Sequence, residues 1–122
     1  MRQIPDFALP LFVPATRPER FEKAAASGAD AVILDLEDAV GRNEKDAARS
    51  GLRLGFTELP VIIRINGCGT PWHAADLEQT LALAPDAIMI PKAGFDAQHR
   101  ELFDRLAEKL PLIAIVETAA GL

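Results

Sequence analysis

Five short apolar segments recur along the 122-residue chain and limit what it can fold into; they are residues 8–13, 31–36, 61–65, 87–90 and 112–116. Each has the length of a strand. Because the segments are nearly continuously apolar rather than alternating with polar residues, they are typical of strands buried on both faces, as in a parallel sheet covered by helices. The sequence therefore predicts an α/β fold.

Helix start and stop signals lie between these segments. Thr16, Pro18 and Glu19 form a capping box that predicts a first helix ending at Gly28. The other predicted helices run from Asn43 to about Leu54 with Gly55 as the stop, from Thr70-Pro71 to about Leu83, and from a cap at Asp96 to a stop at Pro111. The predicted order is β-α-β-α-β-α-β-α-β.

Composition excludes several classes of protein. The chain has 13 basic and 18 acidic residues and no basic run, which argues against a nucleic-acid partner. No apolar stretch approaches the ~20 residues of a membrane span, and the amino terminus lacks the apolar core of a secretion signal, so we expect a cytoplasmic protein without a membrane partner. The single Cys68 can form neither an internal disulfide nor a shared zinc site.

The length allows one domain, which we expect to be incomplete. Residues 117–122 correspond to the beginning of a loop after the fifth strand, with no covering helix behind them. A closed (β/α)₈ barrel needs ~250 residues, and an open five-stranded sheet normally carries a fifth helix. We therefore expect residues 1–122 to be the N-terminal part of a longer single domain.

Charged residues follow the predicted strands, where the ligand face of a parallel α/β fold lies. They are Arg17, then Asp35, Glu37 and Asp38, then Arg64, Lys92 and Glu117. Arg64 ends an apolar strand and needs an anion, which is either a structural partner, Asp35 or Glu37, or a substrate carboxylate or oxyanion. Glu37 and Asp38 either cap the following segment or join Glu117 in a Mg²⁺ site.

Other candidates have simpler interpretations. Lys92 is either a Schiff-base amine or a solvated loop charge. We expect surface or capping roles for His73 and His99, and a packing role for Trp72. Cys68 lies in a Gly-flanked turn without an adjacent base that would activate it.

The ordered motifs resemble the citrate lyase beta-chain and malyl-CoA lyase family of the HpcH/HpaI aldolase group along essentially the whole chain. No single motif is decisive, but their order is highly specific. The matching stretches are residues 11–14, 17–21, 28–40, 64–66, 70–73, 76–77, 90–92 and 115–119.

This resemblance implies a (β/α)₈ TIM barrel, of which the chain covers about the first five strands and four helices. It also implies Mg²⁺-dependent cleavage or formation of a carbon–carbon bond between a 2-oxo acid and an acyl-CoA enolate, in a homo-oligomer that is a trimer or hexamer. Arg64 corresponds to the substrate arginine and Glu117 to the first metal carboxylate, while the second ligand, an Asp, lies beyond Leu122. Glu37 and Asp38 belong to an acidic loop that orders metal-bound water and Arg64, and Arg17 approaches the CoA side.

Three positions depart from the family pattern. Ala15 and Gly67 replace a common Gly and a frequent Pro, and Ala120 replaces a common Arg beside the site. Two alternatives therefore stay open: a flavodoxin-like response-regulator domain, and a metal-independent Schiff-base aldolase using Lys92. We further expect residues 1–122 alone to expose apolar edges and inner sheet faces, and so to be inactive and aggregation-prone.

Overall fold

The computed structural model describes residues 6–94 and 96–115, and their core is one parallel sheet with strand order β1-β2-β3-β4-β5. The strands are β1 (Pro10–Pro14), β2 (Ala31–Asp35), β3 (Val61–Arg64), β4 (Ala87–Ile90) and β5 (Leu112–Ala114). All five apolar segments form strands, so the predicted α/β fold with a parallel sheet is confirmed.

Four helices connect the strands: α1 (Phe21–Ala25), α2 (Lys45–Ser50), α3 (His73–Leu83) and α4 (Ala97–Leu106). Short 3₁₀ turns at Pro18–Arg20 and Arg42–Glu44 precede α1 and α2. The predicted cap at Asp96 is confirmed, because its side chain accepts a hydrogen bond from the N–H of His99 at 2.9 Å.

Several predicted helix boundaries are wrong, and α1 and α4 end at Ala25 and Leu106 rather than at Gly28 and Pro111. Thr16 does not cap the first helix, because the chain turns before it: the N–H of Arg17 donates to Pro14 at 3.0 Å and Arg17 occupies the cap position. The second helix ends at Ser50 rather than near Leu54, since Gly51 closes it through hydrogen bonds to Ala47 and Ala48. Hydrogen bonds between residues three or four positions apart set the start of α1 and the end of α2.

Side-chain alternation gives the sheet two apolar faces. Val32, Leu34, Ile63 and Ile88 lie in the main core with the buried face of the helices. The opposite face is a second cluster formed by Ala31, Ile33, Ile62, Ala87 and Met89, against which Phe7, Ile113 and Ile115 pack.

The expectation of an exposed inner face is met at β1, where Phe12, which pairs with Ile33, is 44% exposed, but not at the centre of the sheet. Ile33 and Ile62 on the second face are 1% and 0% exposed. The expected exposed edge is present at β1, where Leu11 is 39% exposed and Leu9, just before the strand, is 69% exposed.

Strand order separates the candidate architectures. A flavodoxin-like sheet has the order 2-1-3-4-5, whereas this sheet is sequential from β1 to β5. The response-regulator alternative is therefore not favoured. Within residues 6–94 and 96–115, no helix combines the length and apolar character required to cross a bilayer.

Candidate functional site

Asp35 and Arg64 are neighbours at the carboxyl ends of β2 and β3, because the parallel register pairs them directly. Alternation along each strand places them on the same sheet face as Ile33 and Ile62, opposite the helices. The Arg64 guanidinium donates from Nε to Asp35 Oδ1 at 2.8 Å and from Nη2 to Oδ2 at 2.7 Å. Arg64 thus has the structural carboxylate partner that its apolar strand requires.

Each carboxylate oxygen of Asp35 accepts two hydrogen bonds. Besides the Arg64 fork, Oδ1 accepts from the N–H of Glu37 at 2.8 Å and Oδ2 from the N–H of Ala39 at 2.9 Å. Burial raises the pKa of Asp35, but these bonds outweigh it and hold the pKa below its usual value. The interpretation in which Glu37 and Asp38 cap the following segment is wrong, since Asp35 fills that role.

The Glu37 carboxylate lies between two cations, and one of its oxygens accepts no hydrogen bond from the described residues. Its Oε2 is 3.0 Å from Lys92 Nζ, and its Oε1 is 3.6 Å from Arg64 Nη1. The residue is 5% exposed, and Oε1 has no hydrogen-bond partner among the described residues. Asp38 next to it is exposed. A buried carboxylate oxygen without a donor is poised to accept a hydrogen bond from a ligand or water.

Arg64 retains binding capacity after its fork to Asp35. A guanidinium has five N–H donors, and the two bonds to Asp35 use two of them. The ring of Phe12 lies against the guanidinium, 4.8 Å from Cζ to the ring centroid. The hydrogen bond to Asp35 raises the pKa of Arg64 above its already high value. The group is therefore a permanently charged, oriented donor.

Lys92 follows β4 in a left-handed backbone conformation, with φ +50°. Its side chain is 58% exposed, and the ammonium pairs with Glu37. This ion pair joins the tip of β4 to the loop after β2. A positive φ at a non-glycine residue is strained and frequently accompanies a functional position.

A second polar network lies on the helix side of the same loop, and the sequence did not reveal it. It consists of Lys45 and Arg49 on α2, Asn66 after β3, and Asp76 on α3. Asp76, fully buried, accepts from Arg49 at 2.8 Å and from the side chain of Asn66 at 2.6 Å. The available signal was the spacing of Lys45 and Arg49, which places both on one face of α2.

The structure decides two simpler interpretations. His99 is buried at 8% exposure rather than on the surface, and its Nδ1 lies 2.8 Å from the N-cap residue Asp96, which agrees with the capping alternative. Cys68 does have a base beside it, since His73 Nε2 is 3.8 Å from its Sγ. Burial nevertheless raises the pKa of the Cys68 thiol, which disfavours the reactive thiolate.

Trp72 contacts two cations in addition to its predicted packing role. Its ring lies under two cations, with Lys45 Nζ and Arg42 Cζ at 5.2 and 5.4 Å from the centroid. A cleft of about 360 Å³ separates this ring from Glu37, Asp38 and Lys92. The cleft opens at the carboxyl edge of the sheet.

The remaining predicted positions are Arg17, which the structure describes, and three at or beyond residue 117, which it does not. Arg17 is exposed in the turn after β1. Glu117 and Ala120 lie outside the described residues, and so does the second ligand expected beyond Leu122. Within residues 6–94 and 96–115, no group of three or more His, Cys, Asp or Glu residues could hold a metal ion. Ala15 is fully buried, and its side chain packs in the main core.

The fold and the site together define a parallel α/β protein whose charged ligand face lies at the carboxyl ends of its strands. The family model for HpcH/HpaI aldolase/citrate lyase matches residues 9–122. The chain belongs to this family, which confirms the resemblance noted from the motifs.

Individual relatives agree with this assignment. The chain is 49% identical over 112 residues to a citrate lyase subunit beta-like protein of Mycobacterium tuberculosis, covering 91% of this chain and 39% of that protein. It is 40% identical over 117 residues to a (3S)-malyl-CoA thioesterase of Cereibacter sphaeroides, covering 92% and 41%. The chain thus spans about two fifths of the curated relatives it matches.

Solved structures show the same fold. A citrate lyase beta subunit of M. tuberculosis, complexed with oxaloacetate and magnesium, matches with a TM-score of 0.74 and 47% identity, over 92% of this chain and 48% of that one. A CitE protein of M. tuberculosis, in complex with magnesium, acetoacetate and coenzyme A, matches with a TM-score of 0.76 and 47% identity, over 94% and 42%.

Proposed function

We propose that the chain is the N-terminal part of a Mg²⁺-dependent carbon–carbon lyase that cleaves or forms a 3-hydroxyacyl-CoA, with a 2-oxo acid or carboxylate and an acyl-CoA enolate as the other reactants. The observation that carries the proposal is the Arg64–Asp35 fork, with Glu37 Oε1 unpaired beside it, at the ligand edge of a sheet in this family. Relatives named for malyl-CoA and citrate chemistry support it.

The sequential parallel sheet supports a (β/α)₈ barrel for the complete protein. In such a barrel, neighbouring strands follow one another in chain order, as they do from β1 to β5 here. The second apolar face, with Ile33, Ile62 and Met89, then becomes the barrel interior. A trimer or hexamer stays a prediction from the family resemblance.

The described residues fit a magnesium site as its surroundings rather than as its ligands. Asp35 has no lone pair left for a metal, because four hydrogen bonds occupy it. Glu37 Oε1 and exposed Asp38 are hard oxygen acceptors, which suit the hydration water of Mg²⁺ better than a zinc ion. Glu117 and an Asp after the next strand would hold the ion, which supplies Lewis-acid polarisation of the 2-oxo group.

Arg64 binds and stabilises negative charge. Asp35 fixes the plane of the guanidinium, so the N–H groups not directed at Asp35 keep one orientation. These donors bind the carboxylate of the 2-oxo acid or the oxyanion that develops when the carbon–carbon bond breaks. The cleavage releases the thioester enolate, and the family resemblance implies that Arg17, exposed in the turn after β1, approaches the CoA side.

Glu37 maintains the charge balance of the site. Its carboxylate is held between Arg64 and Lys92, so it limits the motion of both cations. Lys92 donates a hydrogen bond to Glu37, and an amine engaged as the donor of an ion pair is poorly placed to attack a carbonyl. This contact does not favour the Schiff-base alternative.

Activity and metal dependence test the proposal on the complete gene product. Malyl-CoA, citramalyl-CoA and citryl-CoA are each incubated with the enzyme, and thioester and 2-oxo acid products are measured. We expect cleavage of at least one substrate, abolished by EDTA and restored by Mg²⁺. EDTA-resistant cleavage, together with borohydride trapping of a 2-oxo acid on Lys92, would refute the metal mechanism.

A further inference from the structure

Lys45 is a buried cation whose every donor is used. It is the first residue of α2 and is 7% exposed. Its Nζ lies 3.0 Å from the carbonyl oxygen of Leu36, 2.8 Å from that of Glu37 and 2.7 Å from Asn66 Oδ1. An ammonium group has three N–H donors, so these three acceptors saturate it.

Two of these acceptors are the backbone of the acidic loop. The carbonyls of Leu36 and Glu37 flank the residue that stands between Arg64 and Lys92. Lys45 therefore binds the loop from the helix side, while Asp35 binds its amides from the strand side.

The third acceptor is itself immobilised. Asn66 donates from Nδ2 to the Leu36 carbonyl at 2.9 Å and to Asp76 at 2.6 Å, and its own N–H donates to Asp76 at 3.0 Å. Arg49 fixes Asp76 in turn at 2.8 Å. Residues of α2, α3 and the end of β3 thus surround the ammonium of Lys45.

Stability alone does not account for a lysine here. Burial lowers the pKa of Lys45, although the charges of Asp35, Glu37 and Asp76 oppose this effect. None of the three direct acceptors is a carboxylate. An apolar residue of similar length would pack against the ring of Trp72 and would not bury a charge. Only an ammonium group can donate hydrogen bonds from one nitrogen atom to three converging oxygens.

We propose that Lys45 is a positioning residue that holds the backbone at residues 36–37, so that the Glu37 carboxylate stays between Arg64 and Lys92. The catalytic part of this inference rests on the proposed lyase function. The structural part does not, because it concerns only how the loop is held.

Lys45→Met in the complete gene product tests the inference, with Lys109→Met as the matched control on an exposed lysine after α4. Loop order is measured by amide hydrogen exchange of a peptide containing residues 36–40. The N–H groups of Leu36, Glu37, Ala39 and Val40 are hydrogen-bonded in this segment. We expect their exchange to accelerate about tenfold in Lys45→Met, with peptides from α4 unchanged.

Steady-state kinetics supply the second readout. We expect kcat of Lys45→Met to fall about 100-fold, as for an ångström-scale displacement of a site group, with KM for the thioester changing much less. Lys109→Met retains both constants. A folded Lys45→Met protein with unchanged exchange, or with unchanged kcat, overturns the inference.

Two further outcomes keep the test decisive. If the unmodified enzyme cleaves none of the thioesters, the proposed function fails, and the exchange measurement alone decides whether Lys45 holds the loop. If Lys45→Met does not fold, Lys45→Arg replaces it, because the planar guanidinium keeps the charge but cannot direct three donors from one atom. Accelerated loop exchange in Lys45→Arg supports the inference, and wild-type exchange and kcat overturn it.

Discussion

At the residue scale, the site depends on the fork between Arg64 and Asp35 rather than on charge alone. Arg64→Lys keeps a cation but loses the bidentate geometry, so Asp35 and the substrate anion compete for one ammonium. In the complete enzyme we expect kcat/KM to fall roughly 100-fold or more, the usual effect of removing an oriented anion donor. Cleavage of the preferred thioester measures this change.

Arg53→Lys is the matched control for that substitution. Arg53 pairs with Glu22 at 2.9 Å, and both side chains are substantially exposed, at 44% and 66%. Its replacement should leave kcat/KM unchanged, since exposed ion pairs contribute little. Equal activity of Arg64→Lys and the unmodified enzyme would contradict the proposed role of the fork.

Individual site residues could be predicted from the sequence only in part. Arg64 and Asp35 stood out because a charge at the end of an apolar strand requires a partner, and the structure provides it. Lys45 and Asp76 did not, because a charged residue in a short helix has the same local pattern whether it is buried or solvated. Only the approach of α2 and α3 to the loop distinguishes the two cases.

At the element scale, the strands were predictable and the helix ends were not. Continuous apolar segments identified all five strands, although β1 is partly exposed, whereas the capping box did not identify the start of α1, which follows a turn from Pro14 to Arg17. The Asp96 cap of α4 was predictable because it is local, acting over three residues. The end of α2 is also local, at Gly51, but the sequence offers a second glycine at position 55 and the local pattern does not distinguish the two.

The carboxyl end of α3 offers a stability prediction at this scale. Ala84 closes the helix with φ +54°, a left-handed conformation that costs a non-glycine residue about 1–2 kcal/mol. Ala84→Gly should therefore stabilise the protein by roughly 1 kcal/mol after the flexibility of Gly is subtracted. The midpoint of urea unfolding measures the change.

Ala107 is the matched control at the end of α4. It is also an exposed C-cap alanine but is right-handed, with φ −53°. Ala107→Gly should destabilise by roughly 0.5–1 kcal/mol, because it gains only backbone freedom in the unfolded chain. The same sign of change for both variants would show that backbone strain at Ala84 does not limit stability.

At the scale of the whole molecule, β1 is the exposed apolar edge of the sheet. Leu11 in this strand is 39% exposed, and Leu9 immediately before it is 69% exposed. An apolar strand edge is a template for pairing with another chain. We expect residues 1–122, expressed alone, to self-associate in sedimentation velocity and to lack lyase activity.

Charge at this edge should counteract that association. Leu9→Lys with Leu11→Lys is expected to shift the sedimentation profile toward monomer, because lysines at an edge strand disfavour pairing. Lys substitutions at Ala82 and Gln98, which are not in β1, serve as the charge-matched control. A monomeric unmodified chain with cooperative two-state unfolding would contradict the prediction.

The saturation of Asp35 by four hydrogen bonds has an evolutionary consequence. An apolar replacement at that position leaves two backbone amides and a guanidinium without their acceptor, and Asn retains only one of the two acceptor oxygens, so folding alone favours Asp at this position. Its neighbour Asp38 is exposed and escapes that constraint. Substitutions that change substrate preference are therefore compatible with folding at position 38, whereas at position 35 they disrupt it.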